Sequence, residues 1–312
     1  MKKINSKVIS IVLIALLVLV IAGCTNKGNN QSDAEQNKQQ SVEDTAAKEK
    51  LIMDNYYILT QRKDVTIPEV ITYIDTNIQS VTQQTATNMV IGLEKLQKEK
   101  LPMVQEYFDS GPVQSAIAKG YANGLSDSYI GAIQNKEVRE VLQQTRNSAF
   151  KIETAEGMYF PVMDYSFYKK YHNYVTPDIA AYIDILAVES EKTPAKDAAL
   201  RISWDEIIQR ALAQEKFIKD YGNSVRAPEM RQLLKQYASF ALFGTNNTPL
   251  FNYETKLMRS EAKKSYYETK FDPNNGSFSK VMGQYILIVS KNNYKLTNEV
   301  NEYRTKAAED IR

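Results

Sequence analysis

Apolar positions recur along most of the chain with the period of an α-helix. The clearest series is Val70, Ile74, Ile78, Val81, Thr85, Met89, Leu93 and Leu96, at steps of 4, 4, 3, 4, 4, 4 and 3. These residues form one narrow stripe, and Thr, Asn, Gln and charged residues fill the other faces. The spacing predicts a single helix over 68–99, about 45 Å long at 1.5 Å per residue. Three segments share one start signal: Pro68-Glu69, Pro177-Asp178 and Pro228-Glu229. Proline is pre-set for the first helical turn, and the acid after it faces the positive end of the helix dipole. Thr176 is a good N-cap for the second of them. Ser203 and Glu206 stand at the paired positions of a capping box. Helices are predicted over 46–62, 68–99, 101–109, 112–121, 126–150, 177–191, 203–221, 228–243, 254–270, 277–290 and 296–311.

One stretch breaks the helical period. Phe150, Ile152 and Thr154 alternate with Lys151 and Glu153, Glu156-Gly157 can turn, and Met158, Phe160 and Val162 alternate again. This pattern predicts a short β-hairpin near 150–163, with Pro161 on an edge. The expected fold class is mainly α: a multi-helix bundle in two helical halves, 46–150 and 151–312, joined near the hairpin.

The N-terminus follows a different grammar. Residues 1–7 carry three lysines and no acid, Val8–Ala22 are apolar except for Ser10, and Ile21-Ala22-Gly23-Cys24 precedes a polar run. A basic start, a short apolar stretch and small residues before a cut describe a secretory signal. The apolar stretch is short for a membrane span, which needs about 20 residues. Ile21-Ala22-Gly23-Cys24 resembles the lipobox of bacterial lipoproteins. The resemblance covers residues 1–24 alone. It implies that 1–23 are removed and that Cys24, the only cysteine, is acylated on sulfur and becomes the mature N-terminus. The partner so implied is a membrane, through the lipid on Cys24, with the folded part on its extracytoplasmic face. Twelve of the nineteen residues 25–43 are Thr, Asn, Gly, Gln or Ser. Such a stretch buries too little apolar surface to offset its ordering entropy, so 24–45 read as an unstructured tether.

Charge then loses its meaning as a clue. The formal +2 includes Lys2, Lys3 and Lys7; without them 36 bases face 37 acids. No basic run suggests nucleic acid. One cysteine and one histidine exclude a disulfide scaffold and a histidine-rich metal centre. No phosphate-binding loop, dinucleotide fingerprint, His-Glu-x-x-His or Gly-x-Ser-x-Gly occurs. Ser-x-x-Lys matches such as those at Ser260 and Ser277 lack a Lys-Thr-Gly companion. No cofactor, metal or catalytic residue is therefore expected.

Three places could hold a ligand. Asp164, Tyr165, Tyr168 and His172 lie in a tyrosine-rich run that could form an aromatic cleft with a polar tip. Trp204, the only tryptophan, opens a predicted helix and is either a stacking platform or a core anchor. Asn246 and Asn247 sit in a polar loop between Phe243 and Phe251, after Gly244 as a helix-ending residue. The expected function is a lipid-anchored, extracytoplasmic helical module that binds an unidentified envelope protein or small ligand. The alternatives are a sensory accessory domain with a membrane partner, and a cell-wall enzyme working through carboxylates.

Overall fold

A computed structural model describes residues 32–311. The chain is mainly α, as the period predicts. Helix α1 spans Ser32–Thr60, α2 Ile67–Asn77, α3 Gln83–Phe108, α4 Gly111–Gly120, α5 Asp127–Ala132 and α6 Lys136–Asn147. The hairpin β1 (Phe150–Ala155) and β2 (Met158–Met163) follows, then a 3-10 turn over Tyr165–Tyr171 and α7 (Pro177–Glu191). A two-residue-per-strand ribbon, β3 (Ala195–Lys196) and β4 (Ala199–Leu200), leads into α8 (Trp204–Asp220), α9 (Ala227–Phe243), α10 (Ser260–Glu268), α11 (Ser277–Lys291) and α12 (Asn298–Asp310). The described residues from Lys48 onward group as one unit and those before it fall in another. Among the described residues no helix is long and apolar enough to cross a membrane.

The predicted 68–99 helix is two helices. The Thr82 hydroxyl accepts from the Thr85 N–H and starts α3 afresh, while the Glu49 carboxylate accepts from the Thr82 N–H and hydroxyl at 3.0 and 2.5 Å. The apolar stripe survives the break, because Val70, Ile74, Ile78, Met89, Leu93 and Leu96 all remain buried. Periodicity therefore reported the buried face correctly and could not see the cap. Conversely, α3 runs through Pro102 to Phe108, where a boundary was expected. The predicted 126–150 helix starts at the Ser126 N-cap but divides into α5 and α6, the second started by its own N-cap, Asn135. Most of 254–259 forms isolated bridges and turns before α10 starts at Ser260.

Where composition pointed to an unstructured tether, α1 already begins at Ser32. Ala34, Glu35, Gln36, Lys38, Gln39 and Gln40 are strong helix formers, a local preference that composition alone did not weigh. Cys24 and the lipobox lie outside the described residues.

Of the caps read from sequence, the Ser203 hydroxyl accepts from the Glu206 N–H at α8, and Thr176 stands at the N-cap of α7 without a side-chain capping hydrogen bond. At α2 the structure adds a reciprocal capping box between Thr66 and Glu69. The first core joins α1–α3 to the 3-10 turn and α7, through residues on both sides of position 150. The second fills α8–α12 around Tyr237, Leu242, Phe278 and Tyr285. A smaller third core lies among α4–α6 under the hairpin.

Candidate functional site

The hairpin forms where alternation predicted it. Glu156 and Gly157 have φ of 50° and 79°, so this two-residue turn has the handedness that matches strand twist. Ala155 faces Met158, Glu153 faces Phe160 and Lys151 faces Val162. Successive side chains alternate between faces, so Lys151, Glu153, Phe160 and Val162 share one face.

That face is one wall of a groove of about 520 Å³. Leu186, Glu189 and Ser190 of α7 form the opposite wall, and Ala195–Asp197 of the small ribbon close one end. Phe160, Val162, Met163 and Leu186 make the lining mostly apolar. The polar groups are pre-engaged. Lys151 Nζ donates to Glu153 Oε1 at 2.6 Å and also to the Ser190 carbonyl. The Ser190 hydroxyl accepts from the Tyr165 N–H at 3.1 Å and so ties the end of α7 to the end of β2.

Glu189 is the partly buried charge of this site. The Tyr237 hydroxyl lies 2.7 and 2.6 Å from its two oxygens, and Arg210 Nη1 lies 3.4 Å away. Arg210 is itself buried and bonds Glu206 at 2.5 Å. Burial raises the Glu189 carboxyl above the usual carboxylate range, against the opposing pull of the Tyr237 hydrogen bond and the Arg210 charge. A raised folded-state value means that the folded chain holds this proton more tightly than the unfolded chain. The Glu189 contribution is then present at low pH and is lost as pH rises through the folded value. The melting temperature of the wild type minus that of Glu189→Gln is therefore expected to be larger at pH 4 than at pH 7. A difference that grows toward pH 7 contradicts this assignment.

A second buried charge stands behind the site. Glu94 of α3 is almost fully buried and accepts from the Tyr165 and Tyr182 hydroxyls, both at 2.7 Å. Lys98 lies 2.8 Å away, and Arg226 reaches the other oxygen. Burial opposes the charge of Lys98 and Arg226, and the Glu94 carboxylate outweighs it, so both cations are held above their ordinary values. Tyr165 and Tyr182 are pushed up by burial first and by the Glu94 charge second.

The residues singled out from sequence do not form one site. Tyr165 lines the groove, but its hydroxyl is spent on Glu94. Tyr168 is buried in the core and donates to the Gln97 side chain. Asp164 caps the 3-10 turn by accepting from the Ser166 N–H at 3.0 Å. His172 sits at the surface, 3.0 Å from Asp184. Trp204 is a core anchor, edge-on to Tyr266 at 6.3 Å between ring centroids. Asn246 accepts the Tyr253 hydroxyl at 2.9 Å through its carbonyl. Asn247 has an indirect link to the groove: its N–H and side-chain amide donate to the Ala198 and Asp197 carbonyls at 2.8 and 2.9 Å. Asp197 and Ala198 both have positive φ, so Asn247 holds a strained turn whose Asp197 lines the groove.

Sequence reasoning missed Lys151, Leu186 and Glu189. The alternation around 151 and 162 was the available signal for the first wall. Nothing local marks the second, because Leu186 and Glu189 lie on a helix whose apolar residues are spread around it rather than gathered on one face. Among the described residues no cluster of three or more His, Cys, Asp or Glu could hold a metal ion. No family model, curated protein or solved structure matches the chain.

Proposed function

We propose that the protein is a lipid-anchored, extracytoplasmic binding module of the bacterial cell envelope, and that the groove between the hairpin and α7 takes its ligand. The resemblance of Ile21–Cys24 to a lipobox supports this location. The observation that carries binding is the groove itself. Its volume of about 520 Å³ falls within the 300–1,000 Å³ range of ligand sites, and an apolar lining with a few fixed polar groups is what such sites share. The chemistry of the site favours holding a ligand over transforming one. Glu153 is neutralised by Lys151, and both oxygens of Glu189 are engaged by Tyr237.

A thermal-shift panel of amino acids, sugars, wall fragments and short peptides tests this reading. A ligand at a hundredfold excess over Kd stabilises the folded state by about 2.7 kcal/mol, which raises the melting temperature of a chain this size by about 5–10 °C. The shift is expected in the wild type and absent in Leu186→Arg, whose charged side chain enters the groove. A shift that Leu186→Arg retains places the ligand elsewhere and overturns the groove as the site.

A further inference from the structure

The two edges of the hairpin are treated differently by the rest of the chain. A two-residue turn makes Ala155 and Met158 a hydrogen-bonded pair, so Glu153–Phe160 and Lys151–Val162 are hydrogen-bonded pairs as well. The backbone groups of Tyr159 and Pro161 on β2, and of Ile152 and Thr154 on β1, then point away from the partner strand. On β2 this outer edge is filled. The Gln114 side chain accepts from the Tyr159 N–H at 2.9 Å and donates to the Tyr159 carbonyl at 2.7 Å, as a neighbouring strand would. Pro161 has no N–H, and its carbonyl accepts from Gln105 at 3.3 Å.

On β1 nothing equivalent is present. Among the described residues no group bonds the outward N–H and C=O of Ile152 or Thr154. Their side of the hairpin is flanked by two cavities. One is the groove, which reaches Lys151, Glu153 and Thr154. The other, about 570 Å³, is lined by Phe150 and Ile152 together with Leu125, Leu142 and Arg146. An unpaired strand edge between two cavities is the geometry of strand addition. Main-chain hydrogen bonds supply affinity, and successive side chains of the guest, which alternate between faces, enter pockets on opposite sides.

We propose that the β1 edge at Ile152 and Thr154 takes an extended peptide segment of a partner protein as a third strand, with an apolar side chain seated in the groove. This rests on the groove being the binding site and names its ligand class. The occupant is apolar on the groove side because Lys151 and Glu153 already neutralise each other there. A thin extended segment suits the edge better than a second copy of this chain. Ile152 and Thr154 are both partly buried, and α6 residues line the neighbouring cavity, so two such recessed edges approach each other poorly.

The test uses the full chain and synthetic nine-residue peptides that alternate threonine with leucine, valine or phenylalanine, acetylated and amidated at their ends. Binding is read by calorimetry and by hydrogen exchange resolved to single amides. The expected result is binding that slows exchange at Ile152 and Thr154. N-methylation of alternate peptide nitrogens should weaken binding about tenfold in one parity and leave it nearly unchanged in the other. Thr154→Pro removes one outward donor at an edge position where proline is tolerated, as Pro161 shows. It should weaken binding about tenfold while the melting temperature stays within a few degrees. Peptide binding that Leu186→Arg abolishes, yet that ignores N-methyl parity and leaves Ile152 and Thr154 unprotected, overturns strand addition and keeps the groove. A non-peptide ligand that needs the groove, with no peptide binding, has the same meaning. Protection of both amides that disappears on dilution, without peptide, assigns the edge to a second copy and overturns the partner peptide. Absence of any ligand overturns strand addition and the groove together.

Discussion

Replacing Cys24 with Ala is expected to move the protein from the membrane fraction to the soluble fraction. Each buried CH₂ of an acyl chain contributes about 0.8 kcal/mol, and two chains anchor stably where one binds only marginally. Cys24 is the only residue able to carry the thioether of the lipobox reading, since the chain holds no second cysteine. Among the described residues no helix could anchor the protein by spanning the bilayer. The variant should therefore lose membrane association by about a hundredfold or more and fail to incorporate radiolabelled palmitate. Unchanged sedimentation with membranes, or palmitate incorporation without Cys24, contradicts the lipobox.

The second large effect is expected at Glu94. Four donors converge on this carboxylate in the interior: Tyr165, Tyr182, Lys98 and Arg226. Bringing such charges out of water costs several kcal/mol per ion, and mutual attraction returns most of it only while every partner is present. Glu94→Leu leaves the largely buried guanidinium of Arg226 with only the half-exposed Glu229 as counter-charge and takes the buried acceptor from the Tyr165 and Tyr182 hydroxyls. Removing one member of a buried pair costs about 3–5 kcal/mol, so the melting temperature should fall by about 10 °C or more. The double variant Glu94→Leu, Arg226→Met should recover part of this loss, because the under-compensated buried charge is gone. A single variant that melts within about 2 °C of the wild type contradicts the assignment of Glu94 as the charge that organises α3, α7 and the start of α9. The groove should suffer with it, since Tyr165 lines the groove and is oriented by Glu94.

Much of the fold was legible because it is written in local chemistry. The capping residue Ser203 of α8, the Pro-acid starts, the Gly244 helix end and the hairpin turn at Glu156-Gly157 each declare themselves within a few residues. The buried stripe from Val70 to Leu96 was legible for the same reason. The break inside it was not, because Thr82 starts α3 with the help of Glu49, thirty-three residues earlier. The two-residue ribbon at 195–200 was also invisible. Its turn places Asp197 and Ala198 at positive φ, and a contact from Asn247 holds it.

The candidate site was legible in half. Alternation along 150–162 located one wall. The tyrosine-rich run at 165–174 drew the eye as an aromatic cleft, but in the fold Tyr168 and Tyr171 face the core. Their hydroxyls are satisfied there by Gln97 and Asp75, and Lys170 covers the Phe167 and Tyr171 rings from outside. Polar tips on a tyrosine cluster are equally the mark of a core that must feed its hydroxyls. Only the partners, which lie on α2 and α3, decide between the two. The second wall is set by where α7 packs, and no short motif encodes that.

The most direct test joins the anchor to the groove in one experiment. A photo-crosslinking amino acid is placed at Val162, on the groove wall, in the full-length protein in living cells, with a control at the exposed Lys264 of α10. The account predicts a discrete crosslinked product from position 162 only. That product should disappear when Leu186→Arg blocks the groove, and it should diminish when Cys24→Ala releases the protein from the membrane. A product of equal yield from both positions, or one that Leu186→Arg leaves intact, would contradict a binding groove between the hairpin and α7.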